Sequence, residues 1–286
     1  MNGNLGRDKV WTPDVWANID KAVTADAGQV RVAQKVFPAT TMPAAQSVPA
    51  DIFDPAAMTI QEGQTKPLVE IWVAYRLTQS QVDNEGTLLT GQKLSRLSAK
   101  TLALAEDTIL FQGQAAALPA VVETNNLAAA GNGLVQDAAN AIQVDRAGAN
   151  YPGSIFQAVS QGIAQLTALG QPGPYGLILE NTVYADAYTP EAQSLVTPAD
   201  RIKPLVPGGF YPSGALFVPA GGGAPAQRFG LLTSLGGEPV SIYVGQDTIT
   251  AFTQADPDGV LRYRVLERVQ YVARDKTALL RLQFLN

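Results

Sequence analysis

The sequence predicts an α+β fold with a long projecting arm, and three observations support this prediction. Several stretches repeat apolar residues with the period of a helix, and residues 240–284 are dominated by strand patterns. Between the first helix and the first strand, residues 38–67 are rich in proline and lack a helical period. The chain of 286 residues is long enough for one large domain or two small ones, with a hydrophobic core.

The first helix is predicted to begin at Pro13. Apolar residues then recur at steps of three and four, which is the spacing of one helix face. These residues are Val15, Trp16, Ile19, Ala22, Val23, Ala27 and Val30. Thr12 is expected to be the N-cap, because threonine and a following proline both suit the start of a helix. Phe37-Pro38 is expected to end the helical segment, since the residue before a proline avoids helical geometry.

Residues 38–67 predict an extended arm. Prolines interrupt the segment at Pro43, Pro49, Pro55 and Pro67, and the only alternation is the weak one at residues 58–61. This pattern favours a two-stranded arm. Structureless segments of about 30 residues are uncommon in compact domains unless they serve a function. Because such an arm is expected to bury little against its own chain, we expect a neighbouring subunit to support it.

Strands and two further helices are predicted for the rest of the chain. Residues 68–77 and 174–180 have the composition of strands, and residues 87–111 and 151–169 have a helical period. Gly113 is expected to stop the longer helix. Its predicted buried face is Leu94, Leu97, Thr101, Leu104, Ala105, Ile109 and Phe111. The closing strands are predicted at 240–244, 248–253, 261–273 and 278–284, with a turn at Asp256-Pro257-Asp258-Gly259.

The composition excludes several classes of function. The chain has no His and no Cys, which excludes a Ser-His-Asp triad, a thiol nucleophile, disulfides and His- or Cys-ligated metals. Its net charge of -5 argues against a main role in gripping nucleic acid, which needs a basic face. Charged residues make up 16%, against about 25% in ordinary domains. A surface this poor in charge is expected for a subunit that is largely covered by copies of itself.

No targeting or membrane segment is recognisable. Residues 1–13 lack the apolar region of a secretory signal. No run approaches the roughly 18 apolar residues of a membrane helix. We therefore expect a protein that acts without a membrane, either in the cytosol or released from one.

Several segments, in the same order, resemble encapsulin shell proteins. Residues 66–112 resemble the passage from strand to long spine helix in that family, including the ending A-x-x-E-D-x-[IV]-[IL]-F-x-G at residues 103–113. The other matches are VWANI at residues 15–19, GPYGLIL at 173–179, VGQD at 244–247 followed by RY at 262–263, and the closing strand at 278–284. The resemblance spans the chain from about Leu5 to Phe284.

The resemblance implies the Hong Kong 97 capsid fold, which encapsulins share with the major capsid proteins of tailed phages. The implied division is an N-terminal arm and helix at 1–37, an extended loop at 38–70, a peripheral domain with the spine helix at 71–130 and 241–286, and an axial domain at 131–240. In this family the extended loop lies over the adjacent subunit, and the proline-rich segment falls at that place.

Two shell functions follow from the resemblance. The first is the major capsid protein of a tailed bacteriophage, which self-assembles from pentamers and hexamers into an icosahedral virion shell in the cytoplasm of a host bacterium. Such a shell encloses DNA without sequence-specific binding and works with scaffolding, portal or decoration proteins. The alternative is an encapsulin nanocompartment that encloses an enzyme cargo, with a groove at the N-terminal helix for a cargo peptide. Neither function implies a cofactor.

An enzyme is the remaining alternative, and it would need carboxylates or a lysine. Glu106 and Asp107 are adjacent on a helix, so they are expected to point in different directions and to contact neighbours or solvent. Asp256 and Asp258 lack the further ligands of a calcium loop and are expected to form a turn. The glycines at 221–223 are followed by no phosphate-binding lysine and are expected to form a loop tip. We therefore expect no catalytic residues and no metal site.

The candidate contacts between subunits are Trp16, Ile52, Phe53, Met58, Lys66, Arg262, Arg264 and Arg268. Trp16 is a core or interface anchor, and the apolar residues of the loop are expected to lie on a neighbouring subunit. The three arginines alternate along a strand and share one face, where pairing with acidic residues of another subunit is expected. In some relatives a loop lysine forms an isopeptide bond with an asparagine of another subunit, but Lys66 is expected to be solvated.

Overall fold

The structure is a computed structural model that describes residues 5–54, 57–190, 195–220, 223 and 225–285. The helices are α1 (Pro13–Val30), α2 (Ala33–Val36), α3 (Gln79–Asp83), α4 (Glu85–Leu88), α5 (Thr90–Gln112), α6 (Leu134–Asp137), α7 (Gly153–Ala168), α8 (Asn181–Ala187) and α9 (Pro198–Ile202). The strands are β1 (Ala39–Thr41), β2 (Ser47–Pro49), β3 (Ile52–Asp54), β4 (Thr59–Gln61), β5 (Thr65–Pro67), β6 (Val69–Thr78), β7 (Val122–Asn125), β8 (Asn140–Asp145), β9 (Tyr175–Glu180), β10 (Phe210–Ser213), β11 (Phe217–Val218), β12 (Gln227–Ser234), β13 (Val240–Ala255), β14 (Val260–Ala273) and β15 (Leu279–Leu285). Of the predicted glycine loop, Gly221 and Gly222 lie outside the described residues.

The first sheet has the strand order β1-β13-β14-β6-β7. Its centre is the long antiparallel hairpin of β13 and β14, which the predicted Asp-Pro-Asp-Gly turn closes. Gly259 in this turn has φ +79°, a left-handed conformation that favours glycine. β6 pairs with β14 without interruption from Val69↔Val269 to Thr78↔Val260. The predicted strand after the arm is therefore confirmed, and it lies against the closing hairpin.

The second sheet has the strand order β10-β9-β12-β15-β8, with β11 against β12. α7 lies on this sheet so closely that a Cβ atom at Gly162 would be 2.7 Å from a Leu232 methyl group. β15 lies between β12 and β8, although the resemblance places all of residues 241–286 with the first sheet. The reason is packing, because Leu280 and Leu282 of β15 belong to the buried cluster beneath α7. β15 is thus a strand of the second sheet, and the domain division itself stays a prediction.

α1 and α5 begin with different capping arrangements. α1 begins at Pro13 as predicted, and Thr12 takes the N-cap position with an extended backbone but makes no capping bond through its side chain to any described residue. α5 begins at Thr90 rather than at the predicted residue 87, because Leu89 has a left-handed backbone (φ +52°) that separates α5 from α4. The buried carboxylate of Glu85 caps α5 instead, accepting from the backbone N–H of Gly91 at 2.7 Å and of Gln92 at 2.8 Å. Among the described residues, no helix has both the length and the apolar character to cross a bilayer.

The buried face of α5 differs from the predicted one. Leu97 and Leu104 are 63% and 41% exposed, whereas Ser98, Ala99 and Leu102 are buried. α5 packs against α1 and β6. Small side chains on the buried face allow a neighbouring helix to approach closely, and this approach decides which side of the helix is covered.

The arm forms two nested hairpins, which confirms the predicted two-stranded arm. β2 pairs with β5, and β3 pairs with β4 further out. The expectation that the arm buries little on its own chain is wrong at its base, where Val48 and Leu68 pack with Tyr243 and Val272. A Cβ atom at residue 245 would be 2.3 Å from a Leu68 methyl group, so Gly245 makes room for this packing.

Candidate interaction surfaces and the buried ionic cluster

Arg31 lies between α1 and α2, is 5% exposed, and bonds to three other elements. Its Nε donates to Glu106 of α5, and its Nη1 donates to Asp247 of β13 at 3.0 Å. Its Nη2 donates to Thr248 of β13 and to Glu267 of β14. These five residues, which we call the Arg31 cluster, connect the N-terminal helix to α5 and to the central hairpin.

Asp107 bonds to the same segment as Glu106. Its two carboxylate oxygens accept from the backbone N–H of Val32 at 2.8 Å and of Ala33 at 2.9 Å, at the start of α2. Of the expected contacts with neighbours or solvent, both residues make the first, with different residues of the α1–α2 region, and contact with solvent is wrong. Both are almost fully buried, and both hold the turn between α1 and α2 against α5.

The Arg31 cluster contains three carboxylates and one guanidinium. Burial raises the pKa of Glu267 to about 8, with the charge of Glu106 as the second cause. Burial likewise raises the pKa of Asp107 to about 7, again with Glu106 as the second cause. For Arg31, burial lowers the pKa, but the charges of Glu267 and Glu106 outweigh burial and the net shift is upward. Near neutral pH, Glu267 in the Arg31 cluster therefore retains a proton that a solvated carboxylate would have lost.

Lowering the pH from 8 to 5.5 is expected to stabilise the fold. Glu267→Gln is expected to remove the part of this effect that Glu267 contributes and to leave the part that Asp107 contributes below pH 7. The folded pKa of Glu267 lies above its ordinary value of 4.5, so between these values the folded state holds a proton that the unfolded state has released. For Glu267 alone, linkage then lowers the free energy of unfolding by about 1.4 kcal/mol per pH unit as the pH rises. Urea unfolding of both proteins at several pH values measures the two slopes. A wild-type protein equally stable at both pH values would contradict this expectation.

The tip of the arm exposes large apolar side chains. We call Ile52, Phe53, Met58 and Ile60 the loop tip, and their exposures are 37%, 39%, 88% and 54%. Phe53 and Ile60 are directly paired across β3 and β4. The pairing thus places the Phe53 and Ile60 side chains next to each other, and the described residues leave both of them exposed to solvent. Exposed apolar patches of this kind mark surfaces that are covered on association.

Arg262, Arg264 and Arg268 lie on one face of β14, as predicted, and we call this the arginine face. Arg262 forms an ion pair with Asp256 at 2.6 Å, and Arg264 forms one with Glu70 at 3.6 Å. Both acidic partners belong to the same chain. Each of these two arginines thus has an acidic partner in its own chain, and pairing with another subunit stays a prediction.

The turn residues and Trp16 lie within the chain's own structure. Asp256 and Asp258 belong to the turn, where Asp258 accepts from the backbone N–H of Val260 at 3.3 Å. Trp16 is 3% exposed and donates through Nε1 to the backbone of Arg7 at 2.9 Å. The surface of Trp16 is thus already covered by this chain, so it is placed as a core anchor.

Lys66 is half-buried where it was expected to be solvated. Its Nζ donates to the backbone oxygens of Tyr271 at 3.2 Å and Ala130 at 3.4 Å. Lys66 lies at the base of the arm, in β5, and these bonds connect it to β14 and to the segment before α6. The structure therefore places Lys66 in contacts with its own chain.

The arrangement of two sheets, a long helix and a projecting arm is the Hong Kong 97 fold of shell-building proteins, as the resemblance implied. The chain is similar to a virus-like particle from Pyrococcus furiosus, with a TM-score of 0.67, 13% identity, and coverage of 93% of this chain and 98% of that chain. It is also similar to a structure from Mycobacterium phage Ogopogo, with a TM-score of 0.61, 15% identity, and coverage of 90% and 92%.

Residues 1–270 match the family described as "Encapsulating protein for peroxidase" (Linocin M18), and the chain belongs to this family. A curated relative is the type 1 encapsulin shell protein of Mycolicibacterium paratuberculosis, which is 29% identical over 203 residues. That match covers 70% of this chain and 66% of the relative, which is just under two thirds of the relative's length. The predicted superfamily is thus confirmed.

Proposed function

We propose that this chain is the shell protein of an encapsulin nanocompartment, in which copies of one chain form a closed shell around an enzyme cargo. The observation that carries the proposal is the family match over residues 1–270. The sequence resemblance puts the phage capsid first, but the family match and the curated relative favour the encapsulin alternative. In this function the chain is a structural component and catalyses no reaction.

The loop tip supports self-association. In an isolated subunit, the four large apolar side chains of the loop tip would be exposed to water. This exposure is unfavourable in free energy and promotes non-specific association. A second copy of the chain is the partner we propose for this patch, because closed shells repeat the same interface many times. Each contact can then be modest, while the complete shell is stable.

The exposed side of α1 supports the docking of a cargo peptide. Its buried side packs on α5 and β13, and its outer side carries mostly small or short polar residues, with Lys21 and Gln29 as the exposed long side chains. The small or short polar residues are Ala17, Asn18, Thr24, Ala25 and Gly28. A surface with few long side chains leaves room for a short extended segment of a cargo enzyme. We propose this surface as the place where the cargo is held, on the inside of the shell.

The purified protein, expressed alone, is expected to form closed shells of uniform diameter. Electron microscopy and size-exclusion chromatography measure particle size, and absorbance after nuclease treatment reports enclosed nucleic acid. We expect empty shells to form without scaffolding or portal proteins. When a cargo enzyme is co-expressed, we expect the shells to capture it through its terminal peptide. A protein that stays monomeric at high concentration would contradict any shell function.

A phage capsid is the second candidate, and the likeness to the phage structure favours it at the level of the fold. A capsid of this kind would enclose DNA and would depend on portal, scaffolding or decoration proteins. The two functions differ in the experiment above. Shells that form only with a scaffolding protein and retain nuclease-protected DNA would support the capsid, and the location would then be the virion.

A further inference from the structure

A concave pit lies on the outer face of the first sheet, at Ala74 of β6. Side chains alternate along a strand, so Trp72 and Arg76 stand on either side of Ala74 on the same face. In β14, Arg264 is paired with Ala74, and Arg262 is paired with Arg76. The small side chain of Ala74 is therefore surrounded by longer ones, and the pit between them has a volume of about 400 Å³.

The pit carries more positive than negative charge. Of the described residues that line it, three are arginines and one, Glu123, is acidic. Arg76 and Arg262 are directly opposite each other on neighbouring strands, and like charges in such a pair repel. Asp256 forms an ion pair with Arg262 at 2.6 Å, whereas Arg76 forms none with any residue that the structure describes. One carboxylate thus offsets only part of the charge of two arginines.

The arginines of the pit have hydrogen-bond donors beyond those used by their acidic neighbours. A guanidinium group has five N–H groups, and the bond from Arg262 to Asp256 uses only the one at Nε. Arg264 Nη1 lies 3.6 Å from Glu70, which is beyond normal hydrogen-bond distance. Planar guanidinium groups donate paired N–H bonds to oxyanions, which the ammonium group of a lysine cannot do. The pit is therefore suited to an anion with several acceptor oxygens.

We propose that this pit is a binding site for phosphate groups, in which Arg76 and Arg262 bind one phosphate between them. A phosphate group has more acceptor oxygens and more negative charge than a carboxylate, so it can bridge two guanidinium groups on neighbouring strands. The pit has room for about a dozen heavy atoms if each takes the volume of a water molecule, roughly 30 Å³. The phosphate can belong to a free polyphosphate or to the backbone of a nucleic-acid strand, which present the same chemistry.

Isothermal titration calorimetry with tripolyphosphate at about 0.15 M salt tests this proposal on the intact protein. Arg76→Gln is expected to weaken binding at least about tenfold, because it removes a charged donor pair from the site. Ala74→Leu is expected to weaken binding by a similar factor, because it fills the pit and leaves every charge in place. Both positions are exposed, and circular dichroism shows whether the variants are folded.

Arg268→Gln is the matched control, because Arg268 lies on the same face of β14 but does not line the pit. It is four residues from Arg264, or about 14 Å along the strand, and the Debye length at this salt concentration is about 8 Å. Less than about a twofold change in affinity is therefore expected. An equal loss with Arg76→Gln and Arg268→Gln would show diffuse attraction to a basic face and would overturn the proposal.

Two further results would also overturn it, namely unchanged binding by Ala74→Leu or no binding of tripolyphosphate to the wild-type protein at about 1 mM. An oligothymidylate distinguishes the two sources of phosphate. Tighter binding of the oligothymidylate than of tripolyphosphate, with the same dependence on Arg76, supports the site and identifies a nucleic-acid strand as the ligand. The reverse order supports the site and identifies a free polyphosphate. None of these results depends on whether the shell is an encapsulin or a capsid.

Discussion

Replacing Arg31 with methionine is expected to lower the free energy of unfolding by about 3–5 kcal/mol, the cost of removing one partner from a buried ion pair. Methionine fills much of the volume of the arginine side chain, but it leaves the carboxylates of Glu106 and Glu267 buried without their cation. It also breaks the bonds that join the end of α1 to α5 and to the central hairpin. The loss should therefore affect the whole fold and not only the helix end.

Urea unfolding of Arg31→Met at a fixed protein concentration measures this effect. Arg262→Met is the matched control, because Arg262 is 41% exposed and forms one ion pair, for which about 1 kcal/mol or less is expected. Adding Glu106→Gln to the Arg31 variant removes an uncompensated buried carboxylate and should recover part of the stability. If Arg31→Met costs no more than the control, the buried ion pairs of the Arg31 cluster do not stabilise the fold.

The sequence contained only part of the information that places the Arg31 cluster. Arg31 and Glu106 are 75 residues apart, and Arg31 and Glu267 are 236 apart, so no local pattern joins them. One signal was available, because Glu267 has the same strand parity as Val265 and Val269, which are buried. A carboxylate on the covered face of a strand needs a buried partner, but the identity of that partner depends on tertiary packing.

Local sequence patterns predicted which segments form helices and strands, but they predicted less well which face of a helix is buried. The period of three to four predicted a helix through Leu97 and Leu104, and the helix is there, but these two leucines face outward. Adjacent stripes of one helix differ by only about 100°, and small residues such as Ala99 can form the covered stripe where another helix approaches. In the same way, the prolines predicted the arm, while the packing of its base depends on Tyr243 and Val272, far along the chain.

Replacing Ile60 with aspartate is expected to prevent shell assembly while leaving the subunit folded. Ile60 is 54% exposed and is paired with Phe53, whose backbone N–H donates to the backbone oxygen of Arg274 at 2.9 Å. If the loop tip lies on a neighbouring subunit, the change removes about 1.5–3 kcal/mol of apolar burial from each contact and adds the cost of covering a charge. Each contact would then weaken by about a factor of ten to several hundred, and the loss is repeated at every interface of the shell.

Thr59→Asp is the matched control, because it adds the same charge at the neighbouring exposed position of β4 without removing an apolar group. Size-exclusion chromatography and electron microscopy of both variants measure assembly, and circular dichroism and urea unfolding show whether the subunits are folded. The expected pattern is folded, unassembled Ile60→Asp and shells for Thr59→Asp. Normal shells from Ile60→Asp would show that the loop tip faces solvent in the assembled particle, and equal failure of both variants would point to charge alone. Only a selective loss with Ile60→Asp identifies apolar contact through the arm as a force that closes the shell.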